Sequence, residues 1–160
     1  MEKTKIILCT ALIFAVVFAG CTSDENSSSA ASTGAVTAPQ AQAKSDVISI
    51  PVSDITETAK WFEYESSGAT IKFFAVNAGD GSIKTAFDAC DVCFSSKKGY
   101  RQEKNTMICN NCGNKYPIDS LGTENKKGGG CWPGYLPSKV IGDNLVIEKS
   151  ELDKGGYRFA

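Results

Sequence analysis

The chain has 160 residues, 17 basic and 18 acidic side chains and no histidine, which gives a net charge of −1. This length allows one modest domain. The balanced charge without a basic block argues against a nucleic-acid partner, and the lack of histidine removes the most common general base of enzymes. Since no nucleophile with a base, pair of catalytic carboxylates or phosphate loop is evident, we expect a protein that is not an enzyme.

The first 21 residues have the pattern of an export signal. Two lysines precede an apolar run from Ile6 to Ala19, and Ala19-Gly20-Cys21 closes it. The run is shorter than the ~20 residues that a membrane-spanning helix needs. The Ala-Gly-Cys end resembles the lipobox of prokaryotic lipoproteins, which implies that Cys21 is lipidated and anchors the protein to the extracytoplasmic face of the cell membrane. A plain secretory cleavage and an uncleaved anchor are the alternatives, and they also place the domain outside the cytoplasm.

The next segment, residues 22–45, is rich in Ser, Ala, Thr and Gln and has almost no large apolar side chain. Such a segment cannot bury enough surface to offset the entropy lost on ordering, so we expect a flexible tether. Residues 46–160 then form the folded domain, which the tether holds off the membrane.

The folded domain has the two-residue periodicity and the β-branched and aromatic composition of strands. Loops rich in Gly, Asp and Asn at 77–81 and 142–144 predict hairpin turns. No segment shows a long helical stripe. The sequence therefore predicts a mainly β fold, a small antiparallel barrel or sandwich. The predicted strands are Val47–Pro51, Lys60–Tyr64, Ala69–Asn77, Ser82–Asp88, Thr106–Cys109, Asn144–Glu148 and Tyr157–Phe159.

Several aromatic residues on these strands could be imagined as a binding face. At strand spacing, however, such residues more often belong to the core, and we predict that they do so in this domain. They are Trp61, Phe62, Tyr64, Phe73, Phe74 and Phe87.

Five cysteines form the most informative pattern: the pairs Cys90/Cys93 and Cys109/Cys112, 15 residues apart, and a lone Cys131. Two Cys-x2-Cys loops offer four thiolates, the ligand set of tetrahedral zinc, mononuclear iron or an iron-sulfur cluster. Disulfides are the first alternative for an exported domain. An odd number of thiols leaves one unpaired, however, and a disulfide within a loop closes a very small ring. The pattern therefore favours a metal or cluster site, with disulfides or thiol-redox chemistry as the rival.

The neighbours of these cysteines suggest roles for several residues. Gly113 follows the second pair as in zinc ribbons and rubredoxins, where glycine permits a left-handed turn, so a structural zinc site is the natural alternative to a cluster. We expect Gly113 and Asn110 or Asn111 to donate hydrogen bonds to sulfur. The glycine loop 128–130 can bring Cys131 to the loops, as a ligand or as a thiol beside the site.

Charged residues also lie near the pairs. Asp88 and Asp91 are expected to cap the turn of the first loop rather than to bind metal. Lys97, Lys98 and Arg101 are expected to be solvated surface charge, with a docking patch for an acidic partner as the alternative.

The order of elements resembles the Rieske domain. Rieske loops supply Cys-x-His and Cys-x2-His, whereas in this chain both spacings are two and both histidines are cysteines. All-thiolate ligation adds negative charge and disfavours adding an electron, so the potential should lie below the Rieske range. The segments that carry the resemblance are the two cysteine pairs, Tyr116-Pro117-Ile118-Asp119, Gly128-Gly129-Gly130, Leu136-Pro137 and Gly142 to Ile147.

A closer resemblance is to the FtrD-like membrane iron-sulfur family. It covers about Val47 to Phe159 and is carried by Phe87 to Cys93, Gly99-Tyr100-Arg101, Met107 to Gly113 and Gly122 to Pro133. The resemblance implies an iron-sulfur protein, of unknown cluster type, encoded with membrane iron permeases. We therefore expect an electron carrier for iron uptake, whose partner is an iron permease or redox protein. A module that binds zinc, iron or copper without redox activity and a thiol-disulfide protein are the alternatives.

Overall fold

The computed structural model describes residues 45–160. The predicted export signal, the predicted lipidation site Cys21 and nearly all of the predicted tether lie outside the described residues. Within residues 45–160, no helix is long and apolar enough to cross a membrane.

The described residues form mainly short strands, as predicted, together with a single short α-helix. The strands are β1 (Val47–Pro51), β2 (Lys60–Ser66), β3 (Ala69–Asn77), β4 (Ile83–Phe87), β5 (Tyr100–Glu103), β6 (Thr106–Cys109), β7 (Lys115–Pro117), β8 (Lys139–Ile141) and β9 (Asn144–Glu148), and the helix α1 is Lys149–Gly155.

The strands of the described residues form three antiparallel three-stranded sheets, ordered β1-β9-β8, β2-β3-β4 and β5-β6-β7. The second and third sheets join neighbours in sequence through short turns, including the predicted hairpin after β3. The first sheet instead pairs the first strand with the last, with Val47 opposite Glu148. None of these sheets closes into a barrel, so the sandwich-like form of the prediction is the one that applies.

Two groups of buried side chains fill the space between the sheets. One, which we call the framework core, lies between β1, β3, β9 and α1 and includes Phe73, Leu145, Ile147 and Leu152, each at most 1% exposed. The other is built on β3, β6 and the segment after β7. It includes Cys90 and Cys109, so the first cysteine of each pair is part of the buried interior.

Four strands, β1, β3, β6 and β9, have the predicted bounds. The strands β5, β7 and β8 were missed because they are short and rich in charged or exposed residues, which leaves little periodicity to detect. The predicted strand Tyr157–Phe159 is wrong, since Gly156–Arg158 forms a 3₁₀ turn after α1.

The aromatic core prediction holds for Phe73, Phe74 and Phe87, which are 2% exposed or less. Phe62 and Tyr64 are partly buried against the framework core. Trp61 is 39% exposed, which corrects the prediction for that residue. Its ring lies against that of Phe74, with ring centroids 5.8 Å apart, so the side chain packs on the edge of the core rather than inside it.

Candidate metal centre

The first cysteine pair follows the end of β4. Cys90 is buried, Val92 is 60% exposed, and Cys93 begins a 3₁₀ turn over Phe94–Ser96. The turn ends at Lys97, which adopts a left-handed backbone with φ of 52°. This sharp reversal returns the chain to β5, so the first pair lies on a loop that is held at both ends by strands.

The second pair lies at the turn between β6 and β7. Cys109 is the last residue of β6, buried and opposite Tyr100 of β5. Gly113 has φ of 75°, which is the left-handed conformation predicted for the residue after Cys112. Its N–H donates to the carbonyl of Cys109 at 2.9 Å and closes the turn, which leaves Cys112 exposed at the tip.

The third arm is the loop that carries Cys131. Three successive glycines, 128 to 130, have positive φ, which turns the chain back toward the first pair. The hydroxyl of Tyr100 donates to the carbonyl of Cys131 at 2.6 Å, and a carboxylate oxygen of Asp91 accepts from the N–H of Gly129 at 3.2 Å. Cys131 is therefore fixed from β5 and from the first loop.

All five predicted cysteines come together, and Cys93 is at their centre. The sulfurs of Cys90, Cys93 and Cys131 lie within 4.8 Å of one another, and so do those of Cys93, Cys109 and Cys112. The Sγ atoms of Cys93 and Cys131 are 3.4 Å apart. No carboxylate of the described residues joins either group, so the site is a set of thiols, all of them unpaired by disulfides.

Hydrogen bonds surround the sulfurs. The N–H of Cys93 donates to Cys90 Sγ at 2.9 Å. The side chain of Asn111 lowers the pKa of the Cys93 thiol, and the backbone N–H groups of Asn111 and Cys112 act against the rise that burial causes in the pKa of Cys109. These donors favour the thiolate that binds metal. Two of the predicted donors to sulfur bond elsewhere: the N–H of Gly113 donates to the Cys109 carbonyl, and Asn110 bonds to Arg101 and to the Lys98 carbonyl.

Burial acts in the opposite direction on two of the thiols. It raises the pKa of Cys109 above its usual value, because the charged form is poorly solvated there. The pKa of Cys131 is also raised, first by its contact with the Cys93 sulfur and then by burial. Close sulfurs resist ionising together, and a bound cation would remove that resistance.

Aromatic rings cover one side of the thiols. Tyr116 packs against Trp132 with ring centroids 4.6 Å apart and the rings tilted by 47°, and it meets Tyr100 edge-on at 6.3 Å. Burial raises the pKa of Tyr116 to about 12, so this ring stays neutral. Trp132 and Cys131 pack against the same buried cluster, so these rings limit the access of water to the side of Cys131.

The two aspartates do not cap the turn of the first loop, which corrects that prediction, because their carboxylates bind groups elsewhere in the chain. Asp88 accepts from the N–H of Tyr100 at 2.8 Å, so it joins the end of β4 to β5. Gly99 packs so closely against this carboxylate that a side chain there would collide with it. Burial raises the pKa of Asp88 above its usual value.

Asp91 is the second aspartate, and it accepts from the Nε and Nη2 atoms of Arg158 at 2.9 and 2.6 Å and from the Tyr157 hydroxyl at 2.8 Å. Burial opposes its ionisation, but the bonds from Tyr157 and Arg158 outweigh that and keep the pKa of Asp91 below its usual value. The Arg158 guanidinium also lies over the rings of Phe87 and Tyr157. We call this arrangement the Asp91–Arg158 clamp.

The clamp was not predicted from the sequence. Its only signal was the run Gly156-Tyr157-Arg158-Phe159, which has the composition of a strand but begins at the second of two glycines. A charge near the end of a chain gives no sign that its partner lies in a loop 67 residues away.

A cavity of about 450 Å³ opens beside the thiols. Its lining includes Cys90, Cys93 and Cys109 and also the cations Lys97 and Lys98. Both lysines are exposed and make no salt bridge within the described part of the chain. Arg101 differs, because it pairs with Glu103 at 3.1 Å. Solvated charge remains the simplest interpretation of these side chains.

The fold and this site together define a small antiparallel β domain with a thiol-only site able to hold metal. The model of the family described as membrane iron-sulfur containing protein, FtrD-like, matches residues 37–159, and the chain belongs to that family. No curated protein matches the chain.

Proposed function

We propose that the protein is an electron carrier whose five-thiol site holds an iron-sulfur cluster, and that it serves iron uptake at the membrane. The observation that carries the proposal is the convergence of five thiols, with no histidine or carboxylate ligand among the described residues, at one edge of the domain. Thiolates are the ligands of such clusters, so the donor set fits the group that the family description prints. When bound, the cluster supplies one-electron oxidation and reduction.

The unequal exposure of the thiols supports electron transfer. Cys90 and Cys109 are 2% and 3% exposed, whereas Cys112 is exposed at the tip of its turn. One edge of the centre is thus open to a partner, while the interior and the aromatic cover shield the rest. The N–H of Cys93, which donates to Cys90 Sγ, stabilises negative charge on that sulfur and so favours the reduced form. Together with the all-thiolate ligation it sets the potential.

The proposal includes the setting of the protein. Lipidation of Cys21 would anchor it to the extracytoplasmic face of the membrane, and the partner would be an iron permease or a redox protein beside it. The protein would then pass electrons rather than catalyse a reaction by acid-base chemistry, for which it has no histidine. Mass spectrometry of the membrane-bound form would test the lipid on Cys21.

A thiol-disulfide protein is the second candidate, because the Sγ atoms of Cys93 and Cys131 are only 3.4 Å apart. Oxidation would join these two thiols and pass two electrons and two protons to a disulfide oxidant. Such a pair would leave the other three thiols of the site without a role, which is why this candidate ranks second.

One purification separates these functions. The full chain is isolated anaerobically, and its absorption and electron paramagnetic resonance spectra are recorded with its iron, sulfide, zinc and copper contents. Stoichiometric iron and sulfide, with a visible band that bleaches on reduction, are expected. Zinc without colour would overturn electron transfer in favour of a zinc module, and a metal-free protein with a Cys93–Cys131 disulfide would support the second candidate. The variant Ser95→Ala, at an exposed position near Cys93, is the matched control for cysteine variants.

A further inference from the structure

The arrangement of the five sulfurs is informative beyond their number. A single tetrahedral ion with metal–sulfur bonds of about 2.3 Å would hold four sulfurs that are all about 3.8 Å apart. In this site the groups whose sulfurs all lie within 4.8 Å contain three thiols each. No fourth sulfur of residues 45–160 joins either group, so the thiols do not surround one point.

The two groups share one member. Cys90, Cys93 and Cys131 form what we call the inner triad, and Cys93, Cys109 and Cys112 form the outer triad. Around two neighbouring metal ions, sulfurs on the same ion are close, sulfurs on different ions are farther apart, and a bridging sulfur is close to all the others. Cys93 has that position.

We propose that the site is dinuclear: the inner and outer triads each hold one thiophilic metal ion, Cys93 bridges the two ions, and Cys131 is a ligand. The inference rests on the proposed metal binding but not on the redox role or on the identity of the metal. It replaces the four-ligand set expected from the two Cys-x2-Cys pairs with a five-ligand set.

The supports of each triad are already in place. The inner triad is held by the Cys93 N–H bond to Cys90 and by the two contacts that fix the Cys131 loop, from Tyr100 and Asp91. The outer triad is held by the turn that Gly113 closes, since its N–H donates to the carbonyl of Cys109 at 2.9 Å.

Three thiolates around one ion suit particular metals. Soft thiolate ligands select Cu(I), zinc and the irons of iron-sulfur clusters, and Cu(I) accepts three thiolates without a further ligand. Iron would need inorganic sulfide to complete its coordination. In both cases the site holds two thiophilic metal ions. Cu(I) binds to the thiolates alone, whereas iron also requires sulfide.

The test counts ions in full-length protein. A common background of Cys9→Ser and Cys21→Ser removes the two thiols outside the described residues, and the untreated wild type shows whether that background changes loading. The reduced protein is titrated anaerobically with buffered Cu(I) alone and, in a second arm, with iron plus sulfide. Ions per chain are read by native mass spectrometry, and circular dichroism checks folding.

We expect two Cu(I) ions per chain in the background and in Ser95→Ala, one in Cys131→Ser, one in Cys112→Ser and fewer than two in Cys93→Ser. A single ion per chain, or two ions that Cys131→Ser leaves unchanged, would overturn the dinuclear site. Because Cys112 is exposed, Cys112→Ser keeps the test decisive if Cys131→Ser does not fold.

The two proposals fail separately. If two Cu(I) ions bind and iron with sulfide does not load, the electron-carrier proposal fails while the dinuclear site stands. If one iron binds per chain without sulfide, the dinuclear site fails.

Discussion

The framework core and the cysteine region use different physics to hold the chain. The framework core joins β1, β3, β9 and α1 through apolar side chains such as Phe73, Leu145 and Leu152, which are almost fully buried. The cysteine region, β5 to β7 with the three cysteine-bearing loops, has short strands and buried side chains of its own, such as Met107. It adds polar bridges and five thiols, which the framework core lacks.

This difference indicates where stability comes from. Each fully buried aliphatic or aromatic side chain of the framework contributes about 1.5–3 kcal/mol from its burial. Sulfurs packed together without a metal contribute little and repel one another once ionised. The framework should therefore fold with or without metal, and the cysteine region should depend on it.

The largest effect is expected from Cys109→Ser, which removes a buried ligand. We expect complete loss of the visible absorption, together with faster amide hydrogen exchange across β5 and β6, because the loops lose their common anchor. Exchange in β1 and β9 should stay slow. The same pattern should follow removal of metal by a chelator. Equal loss of protection in both regions would show that the framework depends on the metal as well.

A change in the framework should have the opposite pattern. Leu145→Ala deletes a side chain that is 1% exposed and should lower the free energy of unfolding by about 2–5 kcal/mol. Urea unfolding followed by circular dichroism measures this loss. Metal content per folded molecule should not change. A loss of metal at unchanged stability would mean that the two regions are not separate.

The Asp91–Arg158 clamp connects the framework to the cysteine region. Breaking it therefore tests whether a change in one region affects the other. Asp91→Asn keeps the shape but removes the charge that Arg158 and Tyr157 bind, and we expect a loss of about 1–3 kcal/mol. We also expect weaker metal retention, since Asp91 holds the loop of Cys131 through Gly129. Glu151→Gln is the matched control, because Glu151 pairs with Lys154 in an exposed ion pair and should cost well under about 1 kcal/mol.

The smallest effect concerns the pH dependence of stability. Asp88 has a raised pKa in the folded state because of burial, so its stabilising contribution is complete below the usual value of 3.8 and is lost as the pH rises through the folded pKa. Asp91 has a lowered pKa, and its contribution is lost as the pH falls instead.

In the wild type, the free energy of unfolding should therefore decrease as the pH rises above 3.8, the usual pKa of an aspartate. We expect this decrease to be smaller in Asp88→Asn. The quantity to measure is the difference in unfolding free energy between wild type and variant at each pH, because the acid sensitivity of the thiols is common to both. A stability advantage of the variant that grows as the pH falls would mean that the pKa of Asp88 is lowered on folding rather than raised.

Much of the framework could be predicted from the sequence because its strands are rich in β-branched and aromatic residues. β1, β3 and β9 have the expected bounds for that reason. The strands β5 and β8 carry little such signal, because β5 has one apolar residue, Tyr100, and β8 is short and exposed. Trp61 was predicted to be core because periodicity does not show which sheet face lacks a covering element.

The ligand residues could also be named from spacing, but their arrangement could not. Cys-x2-Cys spacing predicts that two sulfurs point to one centre, but it does not indicate that the loop of Cys131 reaches the same site. The approach of Cys131 to Cys93 depends on the left-handed glycines 128 to 130 and on a hydroxyl from Tyr100, contacts between residues far apart in sequence.

The pairing of β1 with β9 has a consequence for the order in which the chain can fold. Val47 finds its partner in Glu148, so this sheet closes a loop that spans most of the domain, while the other two sheets pair adjacent strands. Closing a long loop is slow because its entropy is lost before its contacts form. During synthesis, which starts at the N-terminus, the sheet β5-β6-β7 and all five thiols would be available before β9 is made. The strand β1 could pair only after β9 has been synthesised.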